Sequence, residues 1–147
     1  KIKFSSDFIV GYPGEKDLDF NDTICLIKKI EFINSFSFIF SSRPGTKAGD
    51  LNLLDKDVSL ERLKIIQKLL FTHQLNVNRS LKNKSVKVLV ENKTKLKNKL
   101  FGRNKYLNSV IINGKEEYIG KLVNVYIDNY NQNTLFGKVT SLKNKAA

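Results

Sequence analysis

Two patterns of apolar residues divide the chain. Up to about residue 78, short apolar runs alternate with segments of helical period, whereas from residue 79 onward apolar and polar residues alternate. A period near 3.6 predicts amphipathic helices, and a period of two predicts half-buried strands. The sequence therefore predicts an α/β part over residues 1–78 and an all-β part over residues 79–147.

The α/β part reads as a strand, a helix and a second strand. The apolar run Phe8–Val10 ends at a glycine, as expected of a buried strand in a parallel sheet. Apolar residues then recur at helical spacing from Asp17 to Glu31, and Ser35–Phe40 forms the second strand. Strands joined in this way are expected to be parallel, and two strands alone do not complete a sheet. A second helix is predicted from Ser59, as its N-cap, to about Asn78.

The all-β part contains five short predicted strands. Turns rich in Asn, Gly and Lys separate them. Closure into a small five-stranded antiparallel barrel of the OB-like kind would remove the exposed strand edges. We recognise no internal repeat. The strands are predicted around Val86–Val90, Leu100–Arg103, Ser109–Asn113, Leu122–Ile127 and Thr134–Thr140.

Positive charge is concentrated in the all-β part. The 147 residues include 26 Lys and Arg against 14 Asp and Glu, for a formal net charge of +12. Residues 79–147 hold 15 of the cationic residues and only 4 of the acidic ones. This asymmetry predicts a polyanionic partner, above all nucleic acid. The alternative is a solvated, lysine-rich surface without a partner.

Composition excludes several classes of protein. The sequence has no apolar run of about 18 residues, so we predict no membrane span, and no signal peptide opens it. The lone Cys25 excludes an internal disulfide, fits a reducing cytosol and is predicted to be buried within the first helix. His73 is predicted to be a packed residue rather than a metal ligand. No motif for a metal site, a P-loop or a catalytic triad is present, so no catalytic residue is assigned.

Two loops at strand ends form the candidate ligand site of the α/β part. The Gly11–Glu15 loop follows the first strand and the Ser41–Thr46 loop follows the second, and parallel sheets bind ligands at such loops. The glutamate of the first loop disfavours a phosphate and favours a cationic or sugar hydroxyl group, or helix capping. Arg43 in the second loop suits a carboxylate or phosphate. The alternative for Arg43 is a structural ion pair with Asp7 or Asp50.

Aromatic residues, glycines and cations are interleaved in two segments of the all-β part. These segments are Lys99–Lys105 and Phe136–Lys138. The pattern suits a barrel face on which bases stack while cations contact phosphates. The candidate RNA-binding residues are Lys99, Arg103, Lys105 and Lys138.

These residues, in this order, resemble a known family. Asp7–Glu15 and Phe36–Thr46 are similar to the end of the radical-SAM domain of the methylthiotransferases. Glu61–Leu63, and a basic barrel that carries Phe101–Arg103, are similar to the linker helix and the C-terminal TRAM domain of that family. The resemblance spans essentially the whole chain and is greatest with the MiaB-type branch, the tRNA-2-methylthio-adenosine synthases.

The resemblance implies a fold, an activity and partners. The fold would be the C-terminal strand–helix–strand part of an incomplete (β/α) radical-SAM barrel, a linker helix and a TRAM barrel. The activity would be that of a cytoplasmic enzyme that uses S-adenosylmethionine and [4Fe-4S] clusters. It would add a 2-methylthio group to isopentenyl-adenosine next to the anticodon. The partners would be the tRNA anticodon stem-loop, contacted by Arg103 and Lys105, and an N-terminal part of the same chain.

The resemblance also implies roles for residues of the two loops. Ile9 and Gly11 would lie against the adenosyl group, while Asp7 and Arg43 would face the cofactor or the target base. The cysteines that hold the clusters would lie outside this sequence, because Cys25 matches none of them.

Two positions depart from the pattern of the family, and two alternatives stay open. Ser42 and Lys47 stand where prolines are usual. The chain could instead be a stand-alone RNA-binding module without catalysis. It could also belong to a methylthiotransferase that acts on threonylcarbamoyl-adenosine in tRNA.

Overall fold

The structure, a computed structural model, describes residues 2–142. These residues divide into two compact units, one up to His73 and the other from Gln74. Each unit has an apolar core of its own. Within residues 2–142, no helix is long and apolar enough to cross a membrane.

The first unit contains a two-stranded sheet and two helices. Strand β1 (Asp7–Val10) pairs in parallel with β2 (Phe36–Ile39), and helix α1 (Asp17–Ile30) connects them. The predicted strand–helix–strand unit with parallel strands is confirmed. Helix α2 (Lys56–Leu81) follows, and its last turns belong to the second unit.

The core of the first unit lies on one face of the sheet. Successive side chains of a strand point to opposite faces, and alternate residues of β1 pack against the apolar stripes of the helices. The other face of the sheet takes no part in this core. The buried residues are Phe8, Val10, Phe20, Ile27, Ile66 and Leu70.

Helix α2 begins before the predicted position and has a different cap. Asp55 Oδ1 accepts the backbone N–H groups of Asp57 at 2.9 Å and Val58 at 3.1 Å. Ser59, the predicted N-cap, lies inside the first turn, and its hydroxyl donates to the Asp55 carbonyl at 2.9 Å. Asp and Ser are comparably good N-caps. The prediction was wrong because it took the later of two good candidates.

Cys25 is exposed rather than buried. The buried stripe of α1 passes through Phe20 and Ile27, and a residue two positions before Ile27 lies about 200° around the helix from it. The prediction rested on the apolar neighbours Ile24 and Leu26, and Leu26 is itself 49% exposed. The prediction was wrong because the position of a residue around the helix, and not the hydrophobicity of its sequence neighbours, decides whether it is buried.

The second unit contains a closed barrel of five strands. Neighbours around the barrel follow the order β3-β4-β5-β7-β6, and β6 pairs with β3 to close it. All five predicted strands are therefore confirmed. They are β3 (Ser85–Lys93), β4 (Lys99–Asn104), β5 (Ser109–Asn113), β6 (Leu122–Tyr130) and β7 (Thr134–Leu142).

The barrel is closed and five-stranded as predicted, but one of its five strand pairs is parallel rather than antiparallel. Strands β5 and β7 run in the same direction, and the other four pairs are antiparallel. An odd number of strands cannot close a ring with every neighbour reversed. A five-stranded barrel must therefore contain a parallel pair, which here joins the third strand to the last.

The interior of the barrel is filled by alternate residues of all five strands. Most of them are β-branched, which suits the pleated surface of a strand. None is more than 2% exposed. The interior residues are Val88, Val90, Leu100, Val110, Ile112, Val123, Val125, Ile127 and Leu135.

Two glycines allow neighbouring strands of the barrel to approach closely. A methyl group added to Gly102 would overlap the carbonyl oxygen of Leu89 and come within 2.8 Å of Val88 Cγ1. Gly137 meets the carbonyl oxygen of Tyr126 in the same way. Only glycine fits at these positions unless the strands separate.

Replacing Gly102 or Gly137 with Ala is expected to destabilise the barrel. The new methyl group would press on the backbone of a paired strand, and overpacking of this kind costs about 1–3 kcal/mol. Denaturant unfolding followed by tyrosine fluorescence measures the free energy of unfolding. Ser109→Ala, a half-buried position of β5, is the control, with a change within about 0.5 kcal/mol. Glycine variants as stable as this control would contradict the expectation.

Candidate functional site

One face of the β1–β2 sheet carries large apolar side chains that the described residues leave uncovered. Asp7 is opposite Phe36 and Ile9 is opposite Phe38, and residues paired in this way project to the same face. Ile9, Phe36 and Phe38 are 59%, 65% and 52% exposed. An apolar surface of this kind marks a binding site or an interface.

The loop after β1 turns at Gly11 and packs against α2. Gly11 has a φ of +72°, which disfavours any residue with a side chain. A methyl group at this position would also come within 2.6 Å of Ser59 Oγ. The N–H of Gly11 donates to Glu15 Oε2 at 3.0 Å. The glutamate of this loop therefore closes the turn, whereas Asp19 caps α1 by accepting the N–H of Lys16 through Oδ2 at 2.9 Å.

A buried arginine of α2 holds the same glutamate. Arg62 Nη1 donates to Glu15 Oε1 at 2.5 Å, and Nη2 donates to Asp17 Oδ1 at 2.6 Å. The guanidinium lies over the ring of Phe20, 5.1 Å from its centroid. Burial acts to lower the pKa of Arg62, but its hydrogen bonds and ion pairs with Asp17 and Glu15 raise that pKa above the ordinary value. Arg62 therefore stays charged and fixes the loop that begins at the end of β1.

Sequence reasoning missed the role of Arg62. The residue is 5% exposed and precedes the buried Ile66 and Leu70 by four and eight positions, so it lies on the buried stripe of its helix. A charged residue on such a stripe needs a buried partner. This need for a buried partner was the signal available in the sequence, and the partner, Glu15, lies 47 residues earlier in the chain.

Arg43 lies in the loop after β2, and its side chain is exposed. Its carbonyl oxygen accepts the hydroxyl of Thr46 at 2.8 Å, which closes the Pro44–Gly45 turn. Among residues 2–142 its guanidinium makes no ion pair, so the alternative pairing with Asp7 or Asp50 is not formed. The guanidinium remains available to an anionic group.

The two loops leave the sheet at the same edge. Because β1 and β2 are adjacent and parallel, their carboxyl ends are neighbours. The ring of Tyr12, after β1, meets the ring of Phe40, after β2, edge to face with centroids 5.0 Å apart. The structure places Asp7 and Ile9 on the open face of β1, while Gly11 and Arg43 lie in the two loops beyond it.

The outward face of β4, β5 and β7 carries three rows of side chains. Register is continuous across these strands, so partners on neighbouring strands line up. The middle row is apolar and half-buried, and the two outer rows contain the cations, of which Arg103 and Lys138 are exposed and Lys99 is half-buried. The rows are Lys99–Asn113–Lys138, Phe101–Ile111–Phe136 and Arg103–Ser109–Thr134.

Two cations of this face are held by carboxylates. The guanidinium of Arg103 lies over the Phe101 ring, 5.3 Å from its centroid, and Nη1 is 3.6 Å from Glu91 Oε2. Lys138 Nζ is 3.8 Å from Asp128 Oδ2. Both pairs are long and solvent-accessible, so each stabilises the fold little. A phosphate can therefore replace the carboxylate at low cost.

The other two predicted RNA-binding residues lie in different settings. Lys99 occupies the first position of β4, in the row that contains Lys138. Lys105 is exposed in the loop after β4, and its Nζ lies 4.8 Å from the centroid of the Tyr106 ring. The structure thus brings Lys99, Arg103 and Lys138 onto one face and leaves Lys105 beyond the end of its strand.

The described residues offer no metal site. Within residues 2–142, no group of three or more His, Cys, Asp or Glu side chains could hold a metal ion. His73 is partly buried, and its Nδ1 is buried without a hydrogen-bond partner among these residues.

A closed five-stranded barrel with rings and cations on one outward face defines a small OB-like domain. Residues 79–140 match the TRAM domain family.

The chain as a whole is similar to proteins named tRNA-2-methylthio-N(6)-dimethylallyladenosine synthase. The relative from Pelagibacter ubique (strain HTCC1062) is 58% identical over 100% of this chain, which covers 33% of that protein. The relative from Ruthia magnifica subsp. Calyptogena magnifica is 41% identical over 94% of the chain, which covers 31% of that protein. The relative from Maricaulis maris (strain MCS10) is 40% identical over 99% of the chain, which covers 32% of that protein. The chain belongs to this family and spans about a third of the length of these curated relatives.

Replacing Arg62 with Ala is expected to destabilise the first unit by about 3 kcal/mol, because it leaves the carboxylate of Glu15, whose side chain is only 12% exposed, without its cation. Amide hydrogen exchange in α1 measures the free energy of opening of this unit. Glu61→Ala, an exposed neighbour on the same helix, is the control, with a change within about 0.5 kcal/mol. Equal protection in the two variants would show that the ion pairs of Arg62 do not hold the unit together.

Proposed function

We propose that this chain is the C-terminal part of an enzyme that adds a 2-methylthio group to N6-isopentenyl-adenosine next to the anticodon of tRNA. The observation that carries the proposal is the three-row face of the barrel, in a chain that belongs to the family of these synthases. The rings of Phe101 and Phe136 can stack with bases, while flanking cations contact phosphates. We assign residues 1–78 to the end of the catalytic barrel and its linker helix, and residues 79–147 to the tRNA-binding domain. The setting is cytoplasmic, where tRNA is modified.

S-adenosylmethionine fits the open face of the first unit. Ile9 and the phenylalanines of β2 offer apolar contact to the adenosyl group, and the backbone at Gly11 bounds the same edge. The Asp7 carboxylate can accept hydrogen bonds from hydroxyl or amino groups, and the Arg43 guanidinium suits the carboxylate of the cofactor. When bound, S-adenosylmethionine supplies the radical chemistry of the reaction. The residues of this chain bind and orient it and exclude water from it.

Iron–sulfur clusters do not fit the residues of this chain. Such clusters are held by several cysteine thiolates, and the sequence contains a single cysteine, the exposed Cys25 of α1. We therefore assign the ligands of the [4Fe-4S] clusters to another part of the enzyme.

The open apolar face argues against a stand-alone RNA-binding module. Ile9, Phe36 and Phe38 are each more than half exposed in this chain, and an apolar face of this kind is covered by a ligand or a partner in a working protein. S-adenosylmethionine covers part of this face, and an N-terminal part of the same enzyme, closing the sheet around the bound cofactor, provides the rest of the cover.

The complete enzyme is expected to convert tRNA that bears isopentenyl-adenosine into its 2-methylthio derivative. The assay uses enzyme with reconstituted clusters, S-adenosylmethionine and a sulfur source, and mass spectrometry of the digested nucleosides detects the product. The same tRNA bearing threonylcarbamoyl-adenosine is the matched alternative substrate. Product from the threonylcarbamoyl substrate alone would overturn the assignment of the target base.

Binding of the tRNA anticodon stem-loop is expected to weaken steeply as salt increases. Replacing Arg103 or Lys138 with Gln should lower the affinity and reduce the slope of log K against log salt concentration by about 0.7 to 0.9 each, since each cation releases one counterion. Lys121→Gln, with the same charge change outside the three rows, should leave the slope nearly unchanged. An affinity that is constant from low to high salt would contradict RNA binding through this face.

A further inference from the structure

The two hairpins of the barrel, β3–β4 and β6–β7, share one register around a β-bulge. In each hairpin an apolar residue is opposite a glycine, the bulge adds one residue to the first strand, and an asparagine is then opposite a phenylalanine. The pairs are Val90–Gly102 and Asn92–Phe101 in the first hairpin, and Ile127–Gly137 and Asn129–Phe136 in the second.

The extra residue at each bulge is acidic and pairs with a cation. Glu91 is the extra residue of β3 and lies 3.6 Å from Arg103, and Asp128 is the extra residue of β6 and lies 3.8 Å from Lys138. A bulge turns a side chain away from the regular alternation of its strand. In both hairpins it directs a carboxylate to the cation that lies two residues after the phenylalanine.

The glycines of the two hairpins have the same surroundings. Added methyl groups would come within 2.8 Å of Val88 Cγ1 at Gly102, and within 2.6 Å of Val125 Cγ1 at Gly137. The hairpins are therefore two copies of one arrangement, although we recognised no repeat in the sequence. Only short segments match, and the intervening loops, residues 94–98 and 131–133, differ in length.

We propose that each hairpin carries one nucleotide-contact unit, and that one single-stranded RNA segment uses both. The first contact unit is Phe101, Arg103 and Glu91, and the second contact unit is Phe136, Lys138 and Asp128. In each unit the ring stacks with a base, the cation contacts a phosphate, and the bulge carboxylate holds the cation until the phosphate replaces it. This inference rests on the proposed function of the barrel as an RNA-binding domain.

The spacing of the two rings favours two nucleotides rather than one. Phe101 and Phe136 flank Ile111 in the middle row, so their Cα atoms are two strand spacings, about 10 Å, apart. Both rings project from the same outward face, so they cannot enclose a single base between them. A strand of RNA that crosses β4, β5 and β7 can place one base on each ring.

The two contact units differ in strength. The guanidinium of Arg103 is planar, lies over the Phe101 ring and can bind a phosphate through two parallel hydrogen bonds. The ammonium of Lys138 is a point charge on a flexible, 74% exposed side chain. The first contact unit should therefore contribute the larger share of the affinity.

A set of double-mutant cycles tests the pairing within each unit. The full chain is titrated against a fluorescein-labelled, single-stranded RNA of mixed sequence and about 12 nucleotides, within the range of site sizes of OB-like barrels. Glu91→Gln should tighten binding by about two- to fivefold, because it releases Arg103 from a surface ion pair. The gain should disappear in an Arg103→Gln background and persist in a Lys138→Gln background.

The second contact unit should give the reciprocal result. Asp128→Asn should tighten binding, lose its effect in a Lys138→Gln background and keep it in an Arg103→Gln background. Glu117 is an exposed acidic residue outside both units. Glu117→Gln makes the same change of charge and is the control, and its effect on RNA affinity should be small and equal in every background. The four side chains of the two pairs are between 29% and 74% exposed, so the variants are expected to fold, and thermal melts check this.

The outcomes separate the inference from the proposed function. If the wild-type chain fails to bind RNA in a salt-dependent way, the RNA-binding function and the contact units both fall. If the wild type binds but Glu91→Gln behaves like Glu117→Gln, or its gain survives the loss of Arg103, the contact units alone are overturned.

Discussion

Closure of a barrel by five strands requires one parallel pair, and the outward face of this barrel depends on where that pair falls. Here β7 returns beside β5, which places Phe136 in line with Ile111 and Phe101. Without this pair the two hairpins would present their rings on separate surfaces. A constraint of strand direction thus creates a continuous row of apolar side chains that extends across three strands.

On this face the positions of individual charged side chains matter more than the net charge. Residues 79–147 carry most of the positive charge of the chain, which attracts a polyanion from a distance. At close range, the bulge carboxylates Glu91 and Asp128 hold Arg103 and Lys138 within 4 Å. Exposed pairs of this kind are weak, so they orient the cations without preventing exchange for a phosphate. The carboxylates at the bulges orient the cations, and the excess of lysine attracts a polyanion.

The periodicity of the sequence was sufficient to predict the strand–helix–strand unit and all five strands of the barrel. Features that depend on residues distant in sequence were not predictable in the same way. The pairing of Arg62 with Glu15 spans 47 residues, and a bulge becomes visible only when the partner strand is known. For the same reason the sequence indicated the cations Arg103 and Lys138 but not the carboxylates that hold them. Cys25 was wrongly predicted because its neighbours were weighed before its position around the helix.

The structure also removes an objection to an anionic ligand group at the open face of the first unit. From the sequence, the carboxylate of Glu15 disfavoured such a group in the loop after β1. In the structure that carboxylate accepts hydrogen bonds from Arg62 and from the N–H of Gly11, so its charge is compensated within the unit. The loop is ordered by these bonds before any ligand binds, which lowers the entropic cost of binding. Arg43 makes no ion pair among residues 2–142 and lies in the loop at this edge, where its guanidinium suits an anionic group such as a carboxylate.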